Sequence, residues 1–131
     1  MIVARDVPSA QVMASWARAC VAVVPSVWNE PMGQVAVEAM LAGKAVVASD
    51  VGGLRDVVID GVTGLTVPPG DPGVLAMALD ILVEDPGMRQ RLGEAGRRHA
   101  RQYEAGTVVP RIIEVFEDAI SRRADAWAER R

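Results

Sequence analysis

One cysteine and one histidine in 131 residues leave this chain short of the usual reactive side chains. The lone Cys20 cannot close a disulfide within the chain. It falls in a valine-rich run, where a buried structural thiol is expected, and its solitude fits a reducing, cytoplasmic compartment. The lone His99 stands among Arg97, Arg98 and Arg101. A solvated helix face suits that setting better than proton transfer, and no Ser-His-Asp arrangement can be built around it. Nor does any His/Cys/Asp cluster have metal-ligand spacing, so no metal is expected. No apolar stretch is long enough to cross a bilayer. After Met1 a short β-like run gives way to Arg5 and Asp6, which is not the pattern of a signal peptide. Basic residues number 14 against 17 acidic ones, a net charge of −3, so a nucleic-acid footprint is not indicated. Aromatics are scarce, with three Trp, one Tyr and one Phe, while half of the residues are apolar. That composition suits an aliphatic α/β core, and the length suits one domain. Repeats, linkers and low-complexity segments are also absent.

What is present centres on residues 21–53. Residues 20–24 and 45–49 are short, continuous, valine-rich runs without alternation, the pattern of strands covered on both faces in a parallel sheet. Between them, residues 34–42 are good helix formers, followed by Gly43 where a left-handed cap is needed. Strand, helix and strand of these lengths predict a right-handed βαβ unit. Ligands of such sheets bind at the carboxyl ends of the strands, near helix N-termini. The loop 25–32 and the run Asp50-Val51-Gly52-Gly53 lie at that edge.

The helix is apolar nearly all round. Its polar side chains are Gln34 and Glu38, four apart and so on one stripe. A helix of that kind is expected to be buried, and a buried carboxylate is costly unless paired. Glu38 therefore either meets a partner or sits solvated at a gap in the packing. Glu30, beside Pro31, taken alone is a solvated loop residue. The two carboxylates together, at the ligand edge of a βαβ unit, point to a site.

Along the rest of the chain, residues 2–4 form a short strand and residues 9–19 a helix opened by Asp6-Val7-Pro8, with Val12, Met13, Trp16 and Ala17 on one face. Residues 54–59 form a short helix, with Arg55 and Asp56 a solvated pair. Residues 64–67 form a third strand, stopped by Pro68-Pro69-Gly70. Asp71-Pro72 starts a helix whose apolar stripe is Leu75, Leu79, Leu82 and Val83. A further charged helix spans about 87–102. Residues 103–107 interrupt it, and a final helix of about 110–131 carries Ile112, Phe116, Ile120, Ala124 and Trp127 on one face.

Several short motifs, taken together, carry a resemblance. Pro25-Ser26, Glu30-Pro31-Met32-Gly33, Glu38-Ala39-Met40, Ala42-Gly43, Val46-Val47-Ala48-Ser49, Gly52-Gly53 and Gly61-Val62-Thr63-Gly64-Leu65 occur in order. The chain resembles, over nearly its whole length, the donor-binding half of retaining glycosyltransferases of the GT-B fold, family 4. The two glutamates separated by seven residues match that family's signature. The resemblance implies a Rossmann-like parallel sheet with flanking helices, forming residues 1–131 as a single partial domain, the back half of a GT-B C-terminal domain. It implies a fragment contributing the site for a nucleotide-diphosphate sugar, with no cofactor beyond that donor substrate and no dependence on a metal.

The resemblance also implies roles. Glu30 would contact hydroxyls of the donor sugar and so bear on catalysis, and the amides around Met32, Gly33 and Gln34 would face the sugar and diphosphate. Glu38 would hydrogen-bond the ribose, and the turn at Asp6 and Val7 would lie beside the nucleobase, although an ordinary turn explains those two equally well. A carboxylate can accept from two vicinal hydroxyls, and amides at a helix N-terminus favour phosphate. The family usually has Phe where Met32 stands and an aliphatic residue where Gln34 stands. The front half of the donor domain, with an Arg and a Lys that clamp the diphosphate, has no counterpart here, since neither Arg5 nor Lys44 matches. The expected partners are therefore the nucleotide-diphosphate sugar, an unknown acceptor and the missing N-terminal part of the enzyme. The chain alone is expected to be inactive, and a full-length form to be cytoplasmic or membrane-peripheral. Two rivals stand beside this reading: a nucleotide or nucleotide-sugar binding module without turnover, and an interaction domain of response-regulator type. The latter needs an acidic cluster at the strand ends, where only Asp50 qualifies.

Overall fold

A computed structural model describes residues 5–128, with side chains to Arg123. The strand expected at residues 2–4 and the side chains of Ala124 and Trp127 lie outside the described residues. The chain divides into two compact units, residues 1–100 and 101–131.

The first unit is an α/β structure with a parallel sheet. Helix α1 spans Ser9–Arg18, strand β1 Val21–Val24, helix α2 Gln34–Leu41 and strand β2 Ala45–Ser49. A short helix α3, Leu54–Val57, leads to strand β3, Leu65–Val67, and then to helices α4, Pro72–Glu84, and α5, Pro86–Ala100. The strands run in the order β1-β2-β3, all parallel. Val21 pairs with Ala45 and Val47 with Leu65. The central β2 is buried at all five positions, Ser49 included, as expected of a strand covered on both faces. β1, at the edge of the sheet among the described residues, buries only Ala22 and Val24.

Helices α4 and α5 close one core cluster with the sheet, in which Leu82 and Leu92 are fully buried beside Ala45, Val47, Val67 and Ala78. Asp71 caps α4, its Oδ1 accepting from the amides of Gly73 and Val74 at 3.0 Å. Asp85 caps α5 in the same way through the amide of Met88 at 2.8 Å. Arg89 donates to the carbonyls of Leu82 and, at 2.7 Å, Val83, which ties off the end of α4. α5 lies close to the turn after α2. A Cβ at Gly93 would strike the carbonyl of Gly43, which itself adopts the expected left-handed φ of 74°.

Some expectations are corrected. Cys20 precedes β1 and is exposed, because the pairing with β2 begins one residue later. Val83 is exposed, and Ala78 takes its place on the inward face with Leu75, Leu79 and Leu82. Arg55 reaches back to Asp50, donating to its Oδ1 at 2.7 Å and to its carbonyl at 2.9 Å, so its partner is the strand exit and not simply the adjacent Asp56. His99 is half-buried on α5 and not fully solvated.

The second unit opens with a 3-10 turn, Arg101–Tyr103, and continues as helix α6, Ala105–Ala128. α6 starts five residues before Pro110, which sits inside it. The start is fixed by the carbonyl of Glu104, which accepts from the amides of Thr107 and Val108 at 2.8 and 3.0 Å. Ile112, Phe116 and Ile120 are exposed along α6. No helix among the described residues is long and apolar enough to cross a membrane.

Candidate functional site

The carboxyl ends of β1 and β2 release two loops. The first, residues 25–33, carries Glu30 and ends at Gly33, the residue before α2. The second, residues 50–53, carries Gly52-Gly53 and opens α3. The two are packed backbone to backbone. The amide of Gly53 donates to the carbonyl of Glu30 at 2.7 Å. A Cβ on Gly52 would strike that same carbonyl and lie 2.8 Å from the amide nitrogen of Glu30. A Cβ on Gly53 would strike the carbonyl of Pro31. Glycine is required at both places because no side-chain atom fits between the loops.

Gly33 is held in the same way from the other side. Its φ of 80° is left-handed, and a Cβ there would run into the fully buried Leu54 at the head of α3. Gly33 offers no side-chain cap to α2, and the first turn of α2 contains no acidic residue. The leading amides of α2, at Gln34 and Val35, therefore lack acceptors inside the helix and leave positive partial charge at this edge.

Glu30 is half-buried, and its Oε2 accepts from the hydroxyl of Ser26 at 3.3 Å. It lines a groove of about 370 Å³ with Val23, Val24, Pro25, Ser26, Trp28, Gly33 and Val35. The wall is mainly apolar and contains no Lys or Arg. Of the residues expected from sequence, the groove thus brings together Glu30 and Gly33. Met32 is exposed, and Gln34 is exposed as the first residue of α2. Glu38 follows Gln34 by one turn and is half-buried, so the apolar helix neither encloses it nor leaves it fully in water. Asp6 has a left-handed φ of 53°, and Val7 lines a separate groove of about 300 Å³ with Val12, Ser15, Trp16 and Ala19.

Sequence reasoning did not single out Ser26 or Trp28 as groove residues. The signal available was a serine four residues and a tryptophan two residues ahead of Glu30, in a loop at the ligand edge. Lys44 and Arg55 are engaged elsewhere: Lys44 donates to the carbonyl of Ala17 at 3.2 Å, and Arg55 is tied to Asp50. No group of His, Cys, Asp or Glu among the described residues could hold a metal ion.

Comparison with known proteins gives a consistent result. Residues 2–99 match the family model described as glycosyl transferases group 1. The chain is 38% identical over 108 residues to a D-inositol 3-phosphate glycosyltransferase of Streptomyces avermitilis, covering 82% of this chain and 23% of the relative. It is 43% identical over 108 residues to the protein of the same name from Thermomonospora curvata, covering 82% and 25%. Among solved structures, a sucrose-phosphate synthase from Thermosynechococcus elongatus superposes with a TM-score of 0.78 at 37% identity, covering 82% of this chain and 27% of that one. HepE of Anabaena, solved in complex with UDP-glucose, superposes with a TM-score of 0.78 at 30% identity, covering 82% and 30%. The chain spans about a quarter of the length of the two curated relatives.

Proposed function

The chain belongs to the group 1 glycosyl transferases, and on that footing we propose that its ligand edge is the nucleoside-diphosphate-sugar site of a retaining, family 4 enzyme of GT-B fold. The observation that carries the proposal is Glu30. It lies on the wall of a groove at the end of β1, its carboxylate held by Ser26, with the uncapped N-terminus of α2 beginning at the groove's own Gly33. A carboxylate beside uncapped amides suits a ligand that combines hydroxyls with a diphosphate. UDP-glucose, which HepE binds, is the natural probe.

In this reading Glu30 accepts from hydroxyls of the donor sugar, and the amides around Met32, Gly33 and Gln34 face the sugar and diphosphate. Glu38 accepts from the ribose, and the turn at Asp6 and Val7 lies beside the base. In retaining transfer by front-face attack, the bond between the anomeric carbon and the diphosphate oxygen breaks. The diphosphate leaves with the electron pair, the acceptor oxygen bonds on the same face, and its proton passes to the leaving phosphate. The charge that develops needs cations. None lines this groove, so they must come from another part of the enzyme, as must the acceptor site. The reading places the full-length enzyme in the cytoplasm or at a membrane surface.

The same absence of cations from the groove favours a second reading for the 131-residue polypeptide alone, that it binds nucleotide or nucleotide sugar without turning it over. The test is a titration of the labelled chain with UDP and UDP-glucose, followed by NMR. Shifts at Gly33, Gln34 and Glu38 with both ligands, and at Glu30 with UDP-glucose only, are expected. Shifts confined to other parts of the chain would refute the assignment. Glycosyl transfer by this polypeptide alone, above the level of a Glu30→Gln/Glu38→Ala double variant, would refute the claim that it lacks turnover.

A further inference from the structure

Ser26 is 4% exposed, while its neighbours Pro25 and Val27 in the same loop are both exposed. A buried hydroxyl must find a partner. In most loops that partner is a backbone group, and here it is the Oε2 of Glu30. The opposite end of Glu30 is fixed as well, its carbonyl taking the amide of Gly53 at 2.7 Å. Between those two points lie the side-chain torsions of a glutamate, which would otherwise be free to turn. An ionised carboxylate has two oxygens and only accepts. With one acceptor site of Oε2 taken by Ser26, Oε1 keeps both of its own to meet a ligand hydroxyl. We propose that Ser26 is a positioning residue, which acts through Glu30 by selecting the carboxylate oxygen and rotamer presented to the donor sugar. The proposal rests on the reading of this edge as a nucleoside-diphosphate-sugar site. The benefit of Ser26 is preorganisation, realised only when a sugar is there to accept it.

The experiment uses the 131-residue chain with UDP-glucose and UDP as probes. Ser26→Ala should weaken UDP-glucose binding by about tenfold, the scale of one hydrogen bond to a charged acceptor, and leave UDP within about twofold. Ser26→Thr, which keeps the hydroxyl, should restore the sugar preference. In a Glu30→Gln background, Ser26→Ala should add less than about twofold, because a residue that acts through another is silent once its target is altered. In the free chain the Glu30 Cδ resonance should move in Ser26→Ala and stay in Ser26→Thr. Should Ser26→Ala not fold, Ser26→Cys, with a weaker donor of similar size, takes its place. Equal loss of UDP and UDP-glucose, additivity with Glu30→Gln, or an unmoved Glu30 Cδ would each overturn the proposal. A wild-type chain that binds UDP and UDP-glucose equally would instead sink the sugar-site reading. The Cδ resonance would then still decide whether Ser26 holds the carboxylate.

Discussion

The loops after β1 and β2 leave the same edge of the sheet one strand apart, yet they are built oppositely. The first is long and displays side chains, with Val27, Trp28 and Met32 all exposed and Glu30 on a groove wall. The second displays little. Its two glycines press against the backbone of the first loop, and Arg55 ties the strand exit at Asp50. The first loop grows from β1, which is only half-buried, the second from β2, buried throughout. One loop presents chemistry and the other holds it in place. The rigidity of the site is thus borrowed from the neighbouring strand.

The sharpest way to break this division of labour is Gly52→Ala. The residue has a left-handed φ of 47° and no room for a Cβ against Glu30. The conformational and overpacking costs together should reach about 2–4 kcal/mol. Gly61→Ala is the control, since φ there is 68° but a Cβ meets nothing within 4 Å. It should cost only about 1–2 kcal/mol. Melting curves that show equal losses for the two variants would mean that the loops are not in fact wedged together.

Glu38→Ala comes next, on the displaying side. It should cost about 1–3 kcal/mol of UDP affinity. Calorimetry with UDP and its 2′-deoxy analogue tests this, because the wild-type preference for the ribose should vanish with the carboxylate. Glu30→Gln should cost about 1–2 kcal/mol for UDP-glucose and little for UDP. An equal loss for both ligands would assign Glu30 to the nucleotide. The smallest effect belongs to the supporting loop's ion pair. Arg55 and Asp50 are 62% and 52% exposed, so Arg55→Ala should lower stability by less than about 1 kcal/mol. A larger loss, insensitive to salt, would show that this pair, and not the glycines, fixes the loop.

Part of the displaying side was legible in the sequence, and the way the second loop supports it was not. Glu30 and Glu38 stand out because carboxylates beside an apolar helix break a pattern. The strands stand out because short valine-rich runs without alternation have few other uses. The Gly52-Gly53 run was visible as a landmark at the ligand edge. Its contact with Glu30 and Pro31 joins residues more than twenty apart in sequence, and no local period encodes that. Ser26 was hidden for the same reason, since its burial depends on how the loop turns back. Errors elsewhere have physical causes too. On α4, Leu79, Leu82 and Val83 occupy adjacent angular positions, and only packing against the sheet decides that Ala78 goes inward and Val83 outward. On α6, the start expected near residue 110 lies five residues earlier, because the carbonyl of Glu104 has already begun the helix. Cys20 belongs to a valine run by composition and falls just outside it by register.

The hydrogen bond from the Gly53 amide to the Glu30 carbonyl also has a kinetic side. Amides open to solvent either by local fluctuation or by larger cooperative unfolding, and buried central strands exchange by the latter. Gly53 lies four residues beyond Ser49, the end of the fully buried β2. Its amide proton is held by the loop that carries the Glu30 carboxylate. Its exchange rate with deuterated solvent is therefore a clock for how often that carboxylate comes away from its mount. A rate close to those of Val46 and Val47 would mean that Glu30 detaches only when the sheet itself opens. The site would then persist between binding events for as long as the fold does.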